Sequence, residues 1–332
     1  MAFQKICVLH LNQIGDLVFS LPFLRALREN NPSSMIHSVI PPHLKDLLIH
    51  SPYVDRLVYR GRGIKNRLRL LNEIRRNRYD LLITLSRSEE CLLLAAFSRA
   101  EVKVGFQKNP WDFGLHIKET MEGPPSWHNN LRLLRRLKMD AKKKDYVGLI
   151  ALPPRSHPPE DRGRYVVLSA GTSVRRRIKE WEEKKFGDLI LLLKEKLGFH
   201  PVLVGGLESE TVNRKIIQRI VEKEGGQKMN PVENLAGKTD LLELCHLLKQ
   251  ASLFVGVDSG IMHLASSFDI PVVGIFGPTN PSYVGPQNRK SLVVREEMEC
   301  SPCNLKGCED RTCMKKLEVK KVWDACEQLL SQ

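Results

Sequence analysis

Leu253-Phe-Val-Gly-Val-Asp-Ser-Gly-Ile-Met-His-Leu-Ala-Ser-Ser-Phe-Asp-Ile-Pro-Val-Val-Gly-Ile-Phe-Gly-Pro-Thr-Asn-Pro281 is the stretch on which the reading of this chain turns. Leu253 to Val257 is an apolar run of the kind buried on both faces of a parallel sheet. The pattern then predicts a turn at Asp258-Ser259-Gly260, a helix from about Ile261 to Ser267, and a second buried strand from Pro271 to Phe276 that breaks on Gly277-Pro278. Strand, turn, helix, strand is the repeating unit of an α/β sheet. It sets a helix N-terminus at the carboxyl end of a strand, where open α/β sheets hold their ligands. Free N–H groups and the helix dipole favour phosphate there. Asp258 is expected to cap the helix and stiffen the turn, Ser259 to offer a hydroxyl, and Gly260 to let a ligand approach the backbone. His263, three residues past Gly260, is expected to project from the same helix face. The same residues also fit a plain N-cap followed by a surface histidine.

At 332 residues the chain is long enough for two α/β domains, and its 42% hydrophobic and 27% charged residues are those of a soluble globular protein. No apolar run is long enough to span a bilayer. The N-terminus opens directly on a strand-like Lys5 to Leu11 without a cleavable signal, so a cytoplasmic location is expected. A net charge of +14 implies an anionic partner. The bases cluster at Arg60 to Arg78, Arg132 to Lys144 and Arg175 to Lys185, without interleaved aromatics, so no nucleic acid is expected. Arg60 to Arg78 reads first as a solvated helix face and second as a membrane surface. Of the 8 cysteines, Cys7, Cys91 and Cys245 sit in apolar stretches and read as core thiols. Cys300, Cys303, Cys308 and Cys313 crowd the tail, where they fit a metal or cluster, a disulfide pairing, or a loop held by packing.

Taken in order, the chain opens with a buried strand, Ile6 to Leu11, a turn at Asn12-Gln-Ile-Gly-Asp16, and a helix to about Glu29 with Leu17, Leu21, Leu24 and Leu27 as its buried stripe. Strand and helix patterns then alternate through Met35 to Ile40, Leu44 to Ile49, Arg56 to Tyr59, Ile64 to Arg76, Tyr79 to Leu85, Glu90 to Phe97 and Lys103 to Phe106. That alternation predicts a doubly wound parallel sheet. The first turn carries the single glycine Gly15, so a dinucleotide fingerprint is absent. After a helix through His128 to Leu137, four prolines between Leu152 and Pro159 read as an extended linker. The pattern restarts with the strand Tyr165 to Ser169 and a small, hydroxyl-bearing turn, Ala170-Gly171-Thr172-Ser173. A strand at Pro201 to Val204, the turn Gly205-Gly206 with Glu208 and Glu210, and a helix opened by Asn234 to Asp240 complete the second half before the stretch above. A final amphipathic helix, Val319 to Leu330, is expected to pack back on the body.

Gly15-Asp-Leu-Val-Phe-Ser-Leu-Pro-Phe-Leu-Arg-Ala-Leu27, and Asp258-Ser-Gly-Ile-Met-His-Leu-Ala265 with Phe276-Gly-Pro-Thr-Asn-Pro281, resemble glycosyltransferase family 9, the ADP-heptose:lipopolysaccharide heptosyltransferases. Lys179-x-Trp181, Gly205-Gly206 with a following glutamate, Leu235-Ala-Gly-Lys-Thr239 and the Cys-Pro-Cys tail follow in the matching order. The resemblance implies a GT-B fold, two Rossmann-like domains facing across a cleft. Residues 1–155 would bind the acceptor and 160–318 the nucleotide sugar, with 319–332 as the closing helix. It implies inverting transfer of heptose from an ADP-sugar donor to a lipopolysaccharide core acceptor, with no cofactor or metal, in peripheral contact with the inner leaflet. On the matching positions, Asp16 stands for the general base, following Gly15, and Lys179 for the basic residue near the diphosphate. Thr172 and Ser173 stand for the donor loop, and Asp258, Ser259, Gly260 and His263 for the phosphate-binding helix start.

The chemistry fits those positions. A base must face the acceptor hydroxyl. A free aspartate, with a pKa of about 3.9, is a weak base unless desolvated, so positioning must supply much of the rate. Without a divalent cation, the charge growing on ADP must be met by Lys179, His263 and helix amides. Glu208 or Glu210 is a candidate partner for the donor ribose and Thr239 a further donor-side contact, while Trp181 reads as core rather than a stack for adenine. Three alternatives remain at this point: a family 9 transferase using another sugar donor, a sugar-nucleotide epimerase or hydrolase on the same fold, and a non-catalytic protein that binds through its basic faces.

Overall fold

The computed structural model describes residues 3–154, 162–225, 232–303 and 308–331. The chain divides into two compact units, Met1–Pro153 and Pro154–Gln332. Most of the expected proline-rich linker, from residue 155 onward, lies outside the described residues.

In the first unit, β1 (Lys5–Leu9), α1 (Ile14–Asn30), β2 (Met35–Ile40), β3 (Arg56–Tyr59), α2 (Ile64–Asn77), β4 (Leu81–Thr84), α3 (Glu89–Phe97), β5 (Val102–Phe106), β6 (Ile117–Glu119) and α4 (His128–Arg136) follow one another. The sheet order is β3-β2-β1-β4-β5-β6, every pair parallel. The apolar runs of β1 and β4 stand at the centre, and Leu9 lies in register with both Val39 and Thr84. Helices cover the sheet because parallel neighbours need crossovers. Leu17, Leu21, Leu24 and Leu27 of α1 are buried as expected, and so are Val18, Phe19 and Phe23, because α4 packs over the same helix. On α2 and α3, Leu70, Ile74, Leu92 and Ala95 close the core with Tyr79 and Leu82.

The second unit repeats the plan with β7 (Tyr165–Ser169), α5 (Glu183–Leu197), β8 (His200–Leu203), α6 (Glu210–Lys223), β9 (Glu233–Asn234), α7 (Leu241–Gln250), β10 (Leu253–Val257), α8 (Gly260–Ser267), β11 (Val272–Ile275), α9 (Pro281–Val284), β12 (Ser291–Val294), α10 (Thr312–Lys316) and α11 (Val319–Leu330). Its order, β12-β11-β10-β7-β8-β9, is the same arrangement, again parallel throughout. The closing helix α11 belongs to this unit and packs on α5, β11 and β12. Val322, Cys326 and Leu329 point into the core there.

Three expectations are corrected. Leu44 to Ile49 is no regular element of the sheet or its helix layer: its first four residues lie in a 3₁₀ turn, Pro42–Leu47, opened by a proline at a position where no N–H is needed. Helix α1 starts at Ile14, two residues before Asp16, so Gly15 and Asp16 lie inside its first turn. Beyond the strands expected, β6, β9 and β12 extend the sheets at their edges.

Candidate donor and base sites at the two switch points

In the second sheet the chain order reverses between β7 and β10, and ligands of open α/β sheets bind beyond the strand ends at such a reversal. Ser169 of β7 lies opposite Gly256 of β10. Just past them come the turn Ala170 to Ser173 from one strand and Asp258-Ser259 from the other. A side chain at Gly256 would press on the Ser169 carbonyl, so glycine lets the two strand ends close up.

Asp258 does not cap α8. The N-cap is Ser259, whose side chain makes no capping bond, and the Asp258 carboxylate instead accepts from the Lys179 ammonium. The two side chains are 14% and 6% exposed, so this ion pair is largely withdrawn from water. Its attraction is stronger there, and leaving either partner alone is costly. Lys179 reaches it from a 3₁₀ turn, Val174–Lys179. The turn is fixed by Glu180: its carboxylate accepts from the Thr172 amide at 3.2 Å and from the Thr172 hydroxyl at 3.3 Å, and its carbonyl accepts from Arg311. Thr172 is buried, while Ser173 is exposed.

The Ser259 hydroxyl is buried without a hydrogen-bond partner, and so is that of Ser169. Buried hydroxyls are ordinarily paired, so two orphans at the same switch point make it a candidate place to bond a ligand. His263 is 4% exposed rather than on the surface. Burial pushes its pKa down to about 4, against the pull of Asp258 and with a smaller push from Lys179. The imidazole is therefore neutral at pH 7 and offers a dipole rather than a charge.

The remaining donor-side candidates lie on the neighbouring loops. Gly171 and Gly205 both press on the buried Ser209, and a Cβ at either would overlap its side chain. The Gly237 amide donates to the Gly205 carbonyl at 2.9 Å, which ties the ends of β8 and β9 together. Glu208 is exposed on this rim. Glu210 is engaged elsewhere, accepting from Arg214 at 2.7 Å and Asn234 at 2.9 Å. Its hydrogen bond with Arg214, then that with Asn234, holds its carboxyl below the usual range. Thr239 is half-buried just before Asp240, the N-cap of α7, which closes a capping box with Glu243. Trp181 is core, as expected: its indole donates to the Leu317 carbonyl at 2.9 Å and its ring meets Phe186 edge-on at 5.1 Å.

A family model described as glycosyltransferase family 9 (heptosyltransferase) matches residues 67–313. The chain belongs to glycosyltransferase family 9. Among relatives, it is 28% identical over 291 residues to lipopolysaccharide heptosyltransferase 3 of Escherichia coli strain K12, covering 80% of each chain. It superposes on the family 9 glycosyl transferase of Veillonella parvula DSM 2008 with a TM-score of 0.85 at 22% identity, over 100% of this chain and 98% of the other. Against the E. coli heptosyltransferase WaaC solved with ADP, the TM-score is 0.77 at 20% identity, over 98% and 100%. As a family 9 member the chain is a glycosyltransferase, and its two six-stranded parallel sheets carry the GT-B architecture of those neighbours.

In this family 9 chain the first unit has a switch point of its own, between β1 and β4, and Asp16 stands beside it. Asp16 is half-buried in the first turn of α1, where the helix dipole favours a carboxylate. The turn before it is anchored by a residue read from the sequence as solvated. Arg60 is 6% exposed, and its guanidinium donates to the His10 carbonyl at 2.9 Å, to the Asn12 side chain and to the Cys91 thiol. His43 adds a bond to the Asn12 carbonyl at 3.2 Å. No sequence pattern separates Arg60 from the exposed bases after it; only its place at the end of β3 does.

In the cysteine tail Cys313 is buried, Cys303 and Cys308 are half-buried and Cys300 is exposed. Cys313 and Met314 lie against Gly277, where any side chain would collide with the Met314 sulfur, and the Ser301 hydroxyl donates to the Gly277 carbonyl at 2.6 Å. Burial pushes the Cys313 thiol up. Among the described residues no three His, Cys, Asp or Glu side chains are placed to hold a metal ion; Cys300, Cys303 and Cys308 lie near enough to Cys313 to push its thiol up further. Cys7, Cys91 and Cys245 are buried core thiols, as expected.

Proposed function

We propose that this glycosyltransferase moves a heptose from ADP-heptose to the inner core of lipopolysaccharide, with inversion and without a metal. The observation that carries the reading is the buried, unpartnered Ser259 hydroxyl at the start of α8, beside the withdrawn Lys179–Asp258 pair and neutral His263. Hydroxyl, ammonium and free helix amides together form a set of donors for a diphosphate. The names of the relatives, lipopolysaccharide heptosyltransferases, and the ADP held by one structural neighbour support the choice of donor and acceptor.

In this reading Lys179 and the amides opening α8 take up the charge that grows on the leaving diphosphate, with Ser259 and His263 as neutral donors. Asp258 fixes the direction of the Lys179 ammonium. Thr172, Ser173, Thr239 and Glu208 bound the donor on the neighbouring loops. Asp16 removes the proton from the acceptor hydroxyl as the new bond to the sugar carbon forms. The reaction takes place on the cytoplasmic side, with the protein in peripheral contact with the inner leaflet; no helix among the described residues is long and apolar enough to cross a membrane.

The test is mass spectrometry of products from ADP-heptose with a series of truncated core acceptors, each run with and without EDTA. A mass increase of one heptose, together with ADP release that requires acceptor and survives EDTA, is expected. Release of ADP or a new epimer without acceptor identifies a hydrolase or epimerase instead. Strong salt-dependent DNA binding with no ADP-sugar affinity identifies a binding protein.

A further inference from the structure

We propose that the α2–α3 face of the first unit is a docking surface for a bilayer of anionic phospholipid. The first half of α2, Ile64 to Arg69, is exposed at every position. Ile64 is 73% and Leu68 57% exposed, an unusual placement for two large aliphatic side chains one turn apart. Leu68 lines a groove of about 480 Å³ between α2 and α3 with Leu71, Leu93, Phe97 and Trp111. Phe97 and Phe113, both exposed, continue the apolar surface with ring centroids 6.3 Å apart. The acids on the rim of this groove are neutralised: Glu90 pairs with Arg67 at 3.1 Å and Glu89 with Lys108 at 3.4 Å.

Beside the apolar stripe runs a basic one. Arg69, Asn72 and Arg76, at helical spacing, border a second hollow of about 630 Å³ together with Arg56. From Arg60 to Arg78 there are 8 arginines and lysines against one acid, Glu73. An amphipathic helix with bases flanking its apolar face is the arrangement that a lipid interface accommodates, with acyl methylenes against the groove and phosphates against the arginines. Other occupants fit less well. A second copy would bring the same basic stripe against itself. A nucleic acid would meet the arginines but leave Ile64, Leu68, Phe97 and Phe113 in water. Helix α2 follows β3, so it starts at the carboxyl end of the first sheet, the end at which Asp16 lies. Docking here brings lipid to the end of the unit that acts on a lipid-anchored acceptor; this last point rests on the proposed function.

The experiment is flotation of the full chain with vesicles of phosphatidylcholine, alone or with about one third phosphatidylglycerol, at about 0.05 and about 0.5 M salt. Three double variants are compared with the wild type: Ile64→Ser with Leu68→Ser, Lys65→Gln with Arg69→Gln, and, as a control basic surface on α4, Arg135→Gln with Arg136→Gln. All six residues are exposed, so each variant should melt with the wild type. Wild type is expected to float with the anionic vesicles only, less so at high salt. Each α2 variant should lose about tenfold or more in partitioning, while the control stays within about twofold. Unchanged partitioning of both α2 variants, or equal wild-type binding to neutral vesicles, overturns the proposal. So does light scattering that shows the α2 substitutions splitting a dimer. Transfer to a soluble acceptor without acyl chains should be unaffected by the α2 variants; a loss there assigns the face to acceptor recognition instead. Vesicle binding that persists in a protein with no ADP-sugar transferase activity leaves the docking surface standing and removes the functional reading.

Discussion

Single atoms carry the functional reading, and each can be removed separately. Ser259→Ala deletes a hydroxyl that bonds nothing in the protein, so thermal stability should hold within about 0.5 kcal/mol. ADP affinity, followed by calorimetry, should fall by about tenfold, the worth of one bond to a charged group. Affinity equal to wild type would separate Ser259 from the diphosphate. Lys179→Met leaves the Asp258 carboxylate buried and alone, and should cost about 3 kcal/mol or more in urea unfolding. Adding Asp258→Asn should restore much of that stability without restoring ADP binding, which splits the lysine's structural role from its role toward the ligand. Asp16→Asn should leave ADP-sugar binding intact and lower turnover by about 100-fold or more, the range of a lost general base. A variant with wild-type turnover would remove the base assignment.

At the level of elements, strand ends and helix starts hold these atoms, and they depend on close backbone approach. Gly205, at φ +150°, faces Ser209 with no room for a side chain. Gly205→Ala should therefore destabilise by about 1–3 kcal/mol in a denaturation midpoint and weaken donor binding as the β8 loop shifts. The strands and helices that bury apolar side chains were legible as such, β7, β10 and α7 among them, because burial on both sheet faces or on one helix stripe leaves a period in the sequence. The edge strands β6, β9 and β12 were not. Each has only one neighbour and at most one fully buried residue, so it need not carry an apolar run. Helix α8 was legible together with its candidate ligand residues because they are contiguous with β10. Its cap was misread for the same reason: Asp258 looks like a local cap, yet it is taken by a lysine 79 residues away.

At the scale of the whole molecule, three histidines among the described residues, His10, His37 and His263, are buried in a neutral state. Burial and, secondarily, the Arg60 charge push His10 to about 3; burial, with the Arg56 charge next, pushes His37 to about 4, and burial brings His263 to about 4. Their unfolded value is about 6.5. Below that pH the unfolded chain takes up protons that the native protein refuses, so stability must fall as pH drops from about 6.5 toward about 4. The urea midpoint should be level above pH 7 and decline by pH 5, before most carboxylates titrate; a flat profile down to pH 5 would mean that these imidazoles are not neutral and buried.

What the sequence determined by itself was whatever is local in the chain. It contained the alternation of buried strands and amphipathic helices, hence two parallel α/β halves, and the motifs of family 9 that lie within a strand end and the turn after it. Strand order belonged to the tertiary structure. Only the adjacency of β7 and β10 brings Lys179 to Asp258 and leaves unpaired hydroxyls at the ends of two neighbouring strands, and only the end of β3 separates buried Arg60 from the exposed bases of α2. The reason is physical: burial and charge pairing depend on neighbours in space, and a parallel sheet takes those neighbours from distant parts of the chain.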